Sequence, residues 1–181
     1  MCTQIAIILL IICAVLIIIY LLRKSNNIIS VRDIIKQHFE LISTDAFTFI
    51  IFCLIPIIMS ISCSIIRLVT NDILSTVNVV LPIYIGLQFS VAEIICSIQK
   101  GNSKYEKIKE SAFNEILFES ILSILALALS FVITFIQIVN MSKSVILAMS
   151  LILYILIFTT VLNTFIVLKR LKFLFDERNC T

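Results

Sequence analysis

Eight polar residues are spaced so that they could line a path for ions through a nonpolar medium. On one long apolar stretch Glu119, Ser123, Ala126, Ser130, Thr134 and Gln137 recur at intervals of three and four. At about 100° per residue they fall within an arc of roughly 80° on a helix. The stripe starts with an acid, ends with an amide and has no large apolar interruption, as a water-lined path requires. On the next apolar stretch Thr159, Thr160 and Asn163 share a face, with Arg170 below them. Glu93, on the preceding stretch, sits at the same end as Glu119. Carboxylates at that level, repeated by subunits, would attract cations and repel anions. The candidate pore-lining set is therefore Glu93, Glu119, Ser123, Ser130, Thr134, Gln137, Thr160 and Asn163.

Each of these has a plainer explanation. Small and hydroxyl residues pack membrane helices together, and Ser and Thr can satisfy their hydroxyls on the preceding turn. Carboxylates near a helix end snorkel to the interface or pair with a lysine. Two further alignments, Pro56-Ser60-Ser64-Arg67 and Ser75-Asn78-Pro82-Gly86-Glu93, suit the interior of a four-helix bundle. A second candidate site is the cluster Lys100, Lys104, Lys107 and Lys109, with Tyr105 as a stacking surface. It could bind anionic headgroups or the phosphates of a nucleotide or oligonucleotide, or serve only to orient the chain.

Other chemistry is poorly provided for. The six cysteines stand mostly in apolar runs without CxxC spacing, and His38 is the single histidine. No metal site, disulfide framework or cofactor is expected from them. HExxH and GxSxG motifs are absent, so no enzyme activity is expected.

The elements that must position these residues are membrane helices. Of 181 residues, 61% are hydrophobic and 14% charged, against about 45–50% and about 25% in soluble domains. Five stretches can each cross about 30 Å of hydrocarbon: about 4–22, 46–69, 73–98, 116–139 and 144–168. The expected fold is all-α, a polytopic integral membrane protein of five transmembrane helices with short cytoplasmic helices. Its parts are an N-terminal anchor (1–22), a cytoplasmic interfacial helix (23–45), a four-helix transmembrane domain (46–175) and a cytoplasmic tail (176–181). Short turns at 70–72 and 140–143 predict two tight antiparallel hairpins. The first stretch lacks a basic leader region and a small-x-small cleavage site, so it reads as a retained anchor and not a signal peptide.

Twelve of the 14 basic residues follow the first, third and fifth stretches; Arg67 and Lys143 are the exceptions. The positive-inside rule then predicts an outside N-terminus and a cytoplasmic C-terminus in a bacterial inner membrane. Ser30-Val31-Arg32-Asp33 reads as a capping box opening an amphipathic helix to about Ile42. That helix would lie under the bilayer or couple to a partner. Nothing breaks the helix from the capping signal at Ser103 to Val139, so the fourth span should continue about three turns beyond the membrane.

The run Asn114-Glu115-Ile116-Leu117-Phe118-Glu119-Ser120-Ile121-Leu122-Ser123-Ile124 and the ending Val167-Leu168-Lys169-Arg170-Leu171-Lys172-Phe173-Leu174 resemble small membrane proteins of bacterial anti-phage operons. Hailong-type membrane channels and Kiwa-type membrane components are the families in question. The resemblance implies a homo-oligomeric effector, a tetramer or another small ring. Such an effector permeabilises or depolarises the membrane on a cytoplasmic signal from a soluble nucleotide-signalling partner or its nucleotide product. The alternative is a non-conducting sensor or anchor that recruits a soluble protein.

Overall fold

The computed structural model describes residues 31–43, 45–97, 103–138 and 142–179. They form five helices: α1 (Val31–Ile42), α2 (Ala46–Ile66), α3 (Asn71–Ser97), α4 (Ser103–Ile138) and α5 (Lys143–Asn179). α2 to α5 are each long and apolar enough to cross a membrane. The expected first span lies outside the described residues. Large apolar side chains such as Val79, Ile83, Leu87, Phe131, Phe135, Val161 and Phe165 cover the outer faces of α3, α4 and α5. An apolar exterior of this kind is what lipid, not water, would solvate.

Local chemistry sets the helix ends. Asp45, in extended backbone, caps α2 by accepting from the Phe47 N–H at 3.4 Å and the Thr48 hydroxyl at 3.3 Å. Inside α2, residues Ile50–Leu54 widen into a π turn, with the Ile55 N–H bonded to the Ile50 carbonyl. Pro56 follows two residues after Leu54. Proline has no N–H and its ring crowds the carbonyl four residues back, so a wider turn before it relieves that clash. α4 runs 36 residues without interruption, about 54 Å against about 30 Å of hydrocarbon. The extension expected beyond Ser103 is therefore present as continuous helix.

Packing follows a coiled-coil rhythm. On α4 the residues Ile116, Glu119, Ser123, Ala126, Ser130 and Ile133 are all buried, at steps of three and four. On α3, Leu74, Leu81, Gln88 and Ile95 are buried seven apart, and on α5 Leu153, Thr160, Val167 and Leu174 do the same. A seven-residue repeat keeps one seam facing its neighbours while the helices supercoil left-handedly. α4 makes the widest contacts, with α5 on one side and α3 on the other, while α2 packs on α5 and α1 on α4.

One expected hairpin is absent. α4 and α5 do pair, but α2 and α3 scarcely touch, because they lie against different partners. The segment between them, 67–70, is non-helical and crosses the bundle end. Its peptide groups, which lack helical partners, find side chains: Gln137 Nε2 donates to the Val69 carbonyl at 2.7 Å, and the Tyr154 hydroxyl to the Arg67 carbonyl at 3.3 Å. The Val69 N–H donates to Ser150 Oγ at 3.4 Å. Buried non-helical backbone persists where side chains satisfy it in this way.

Candidate functional site

The seam is divided into three storeys. An apolar cluster of Leu74, Leu81, Ala126, Ile133 and Leu153, with Val69 of the crossing segment, fills the end near that segment. A second, of Ala92, Ile95, Tyr105, Ala112, Ile116, Val167 and Leu174, fills the end that carries the basic residues. Between them all three helices carry polar residues that are buried or half-buried: Tyr84 and Gln88 on α3, Glu119, Ser120 and Ser123 on α4, Thr160, Asn163 and Thr164 on α5. Glu119 and Asn163 are each only 1% exposed.

Three oxygens meet at the centre. Tyr84 donates to Glu119 Oε1, Thr164 Oγ1 lies 2.6 Å from the same oxygen, and the Tyr84 and Thr164 hydroxyls are 2.5 Å apart. Beside them Ser120 donates to Gln88 Oε1 at 2.9 Å, and Ser123 satisfies its hydroxyl on the Glu119 carbonyl. One turn towards the basic end, Glu115 Oε2 is 2.7 Å from His38 Nδ1 and 3.4 Å from Asn163 Nδ2. His38 also stacks on Phe118, ring centres 3.7 Å apart. Asn163 Oδ1 and Thr160 Oγ1 are buried without a partner. Arg170, a further turn down, donates to Ser111.

The predicted pore-lining residues are distributed as follows. Glu119, Ser123, Ser130, Thr160 and Asn163 are buried within one chain, not displayed to a second copy. Ser130 donates to Asn78 Oδ1 at 2.7 Å, tying α4 to α3. Thr134, half-buried, bonds back to the Ser130 carbonyl, and Gln137 holds the crossing segment. Glu93 is brought to none of these; it is exposed. The alignment that contains it mostly faces outwards on α3, with Ser75, Pro82 and Gly86 also exposed and open space around Gly86. On α2 the expected interior face is present as buried Pro56, Ser60 and Ser64, while Arg67 lies beyond the helix end, exposed.

The two described lysines of the basic cluster, Lys107 and Lys109, lie in different grooves. Lys107 is exposed in a groove between α1 and α4 that also contains Gln37, Glu40, Glu110 and Asn114. Lys109 is half-buried in a separate groove with Ile95, Glu106, Glu110 and Phe113. Lys100 and the side chain of Lys104 lie outside the described residues. Carboxylates accompany the described lysines, so the local charge is mixed.

Sequence reasoning did not single out His38, Tyr84 or Thr164, and quoted Glu115 only within a resemblance. A signal existed for His38, which stands midway between Ile34 and Ile42, the other two buried residues of α1. At spacing i, i+4, i+8 all three share one face. Among the described residues no group of three or more His, Cys, Asp and Glu could hold a metal ion.

The fold and site together describe a helical bundle compatible with membrane residence, with a polar interior layer that includes two buried acids. Comparison of the chain with protein families, curated proteins and solved structures finds no match.

Proposed function

We propose that the protein is a cation-conducting effector of the bacterial inner membrane, and that ions cross each protomer along the seam between α3, α4 and α5. One observation carries the proposal: Glu119 is buried between two apolar clusters, among hydroxyl and amide groups from three helices, with a second buried acid, Glu115, one turn away beside Ala112 and Ile116 of the basic-end cluster. Ionisable side chains in a membrane bundle are costly, and they mark ion paths and proton relays by default. The packed seam is then the shut form. Opening α3 from α4 breaks the Tyr84–Glu119, Ser120–Gln88 and Ser130–Asn78 hydrogen bonds. Each is worth about 0.6 kcal/mol inside a membrane, a gap that a regulator can supply.

The proposed regulator is cytoplasmic and reaches the seam through α1. That helix docks on α4 through His38–Glu115 and a Gln37–Asn114 hydrogen bond, so displacing it unpairs a buried glutamate. The proposed signal is a nucleotide or oligonucleotide, or the soluble protein that makes it, received near the start of α4, where Lys100, Lys104, Lys107 and Lys109 stand close in sequence. A role in phage defence rests on the resemblance of 114–124 and 167–174. Self-association, to a tetramer or another small ring, also belongs to this proposal. The polar faces of α4 and α5 have partners inside the protomer, so a ring would pack through the outer faces, among them the exposed Ser75, Pro82, Gly86 and Glu93 of α3.

The second function, a non-conducting sensor that recruits a soluble partner, is favoured by one feature. The seam's hydroxyls are used for packing, and the groove between α1 and α4 is left open at the basic end. Ion flux from purified protein in liposomes separates the two: conduction is expected, and a monodisperse, correctly folded preparation that passes no ion would leave only the sensor. The proposed orientation has its own check. Single cysteines at Asn71, Gly101 and Thr181 should label from outside at 71 and from the cytoplasm at the other two. Labelling of 101 and 181 from opposite sides would overturn the topology.

A further inference from the structure

Resting on that conduction proposal, we propose that Glu119 is a proton-binding site and that the ion this protein moves is the proton. The inference starts from the three oxygens of Tyr84, Thr164 and Glu119, which are in mutual hydrogen-bond contact. Three oxygen–oxygen contacts need three hydrogens. The two hydroxyls supply at most one each, since Thr164 Oγ1 also lies 3.0 Å from the Thr160 carbonyl, and the remaining hydrogen comes from a protonated Glu119 carboxyl. An ionised Glu119 would leave one contact as two oxygens facing each other with no hydrogen between them.

Charge leads to the same conclusion. Glu119 forms no ion pair with any described Lys, Arg or His, and its ionisable neighbour one turn away is a second acid, Glu115. A lone carboxylate in an apolar bundle neutralises itself by taking a proton. A metal cation is the other means of neutralisation, but hydrogen-bonded oxygens already occupy the space around Oε1.

The ionisable groups around the site come from every helix packed there: His38 on α1, Tyr84 on α3, Glu115 on α4 and Arg170 on α5. Asn163 reaches from α5 into the acid pair through its Nδ2 contact to Glu115. Its unpartnered Oδ1, like the unpartnered Thr160 Oγ1 one turn above, leaves an acceptor for a hydrated proton. The transfer step is balanced. The O–H bond of Glu119 breaks, a water carries the proton across one turn, and an O–H bond forms on the Glu115 carboxylate. Glu119 is left ionised to accept the next proton. From Glu115 the proton leaves to water at the basic end of the bundle, where His38 Nδ1 lies 2.7 Å from the carboxyl.

The test combines two measurements on the full-length protein in liposomes. Infrared spectroscopy at neutral pH should show a protonated-carboxyl stretch that shifts in D2O, is lost in Glu119→Gln and survives in Glu115→Gln. Glutamine matches the shape and neutrality of the protonated acid, so Glu119→Gln should fold and assemble as the parent does. A pH-sensitive dye should report proton entry driven by a potassium diffusion potential, abolished in Glu119→Gln to the level of empty vesicles. No such band, or a band that survives Glu119→Gln, overturns the proton site. An E119Q-sensitive band together with sodium or potassium flux equal to proton flux overturns the assignment of the ion. The same band with no flux of any ion supports the proton site and overturns conduction instead.

Discussion

Ser123→Leu combined with Ser130→Leu is expected to break the bundle open, not to plug it. Both serines are 0% exposed and sit seven residues apart on the seam of α4, with Ala126 between them. Each leucine adds bulk where helix backbones approach closely, and overpacking of this kind costs about 1–3 kcal/mol per site. Losing the Ser130 hydroxyl also leaves Asn78 Oδ1 without its donor. The combined loss should be about 2–6 kcal/mol. It would be measured as a fall in the thermal unfolding midpoint in mild detergent and as loss of the folded, monodisperse species. A stable double variant with unchanged assembly would mean that α4 presents these residues to open space.

His38→Ala should have the second-largest effect. The imidazole is 3% exposed, faces Glu115 at 2.7 Å and stacks on Phe118. Removing one partner of a buried pair leaves an uncompensated charge, at a cost of about 3–5 kcal/mol. α1 should then detach from α4, which hydrogen exchange would register as lost amide protection over residues 31–42. Adding Glu115→Gln removes the orphaned charge and should restore part of the protection, and a double-mutant cycle isolates the pair. Equal protection of α1 in His38→Ala and the parent would contradict the role given to this contact.

The sequence readily revealed the helices and the polar stripe, because lipid-compatible runs and a three-four spacing are local signals. The stripe's destination was not legible. Glu119, Ser123 and Ser130 repeat at the heptad spacing that packs coiled coils, and a water-filled path would use the same arc. Only the positions of Tyr84, Asn78 and Thr164 on other helices show that the arc is filled from within the chain. Glu93 stands apart from the buried layer for a related reason. Its alignment with Pro82 and Gly86 is real, but the heptad Leu74-Leu81-Gln88-Ile95 carries the larger buried surface and turns the other face outwards. His38 was hidden because an amphipathic helix under the bilayer and one docked on a neighbour have the same periodicity. Gln137 has the residue type of a pore mouth, yet its partner is the backbone of the 67–70 segment. Whether a polar side chain faces a lumen or a carbonyl depends on chain crossings that no local pattern encodes.

The central claim, that ions pass through the α3–α4 seam of each protomer, is tested most directly by locking that seam. Asn78 and Ser130 touch across it at 2.7 Å. Cysteines at both positions, in a background with the native cysteines changed to alanine, can be joined by a short bifunctional thiol reagent. Proteoliposomes of the unlinked protein should conduct, the linked protein should not, and cleaving the link should restore the flux. Full flux from protein shown by mass spectrometry to be linked within single chains would contradict the account, because the path would then lie elsewhere.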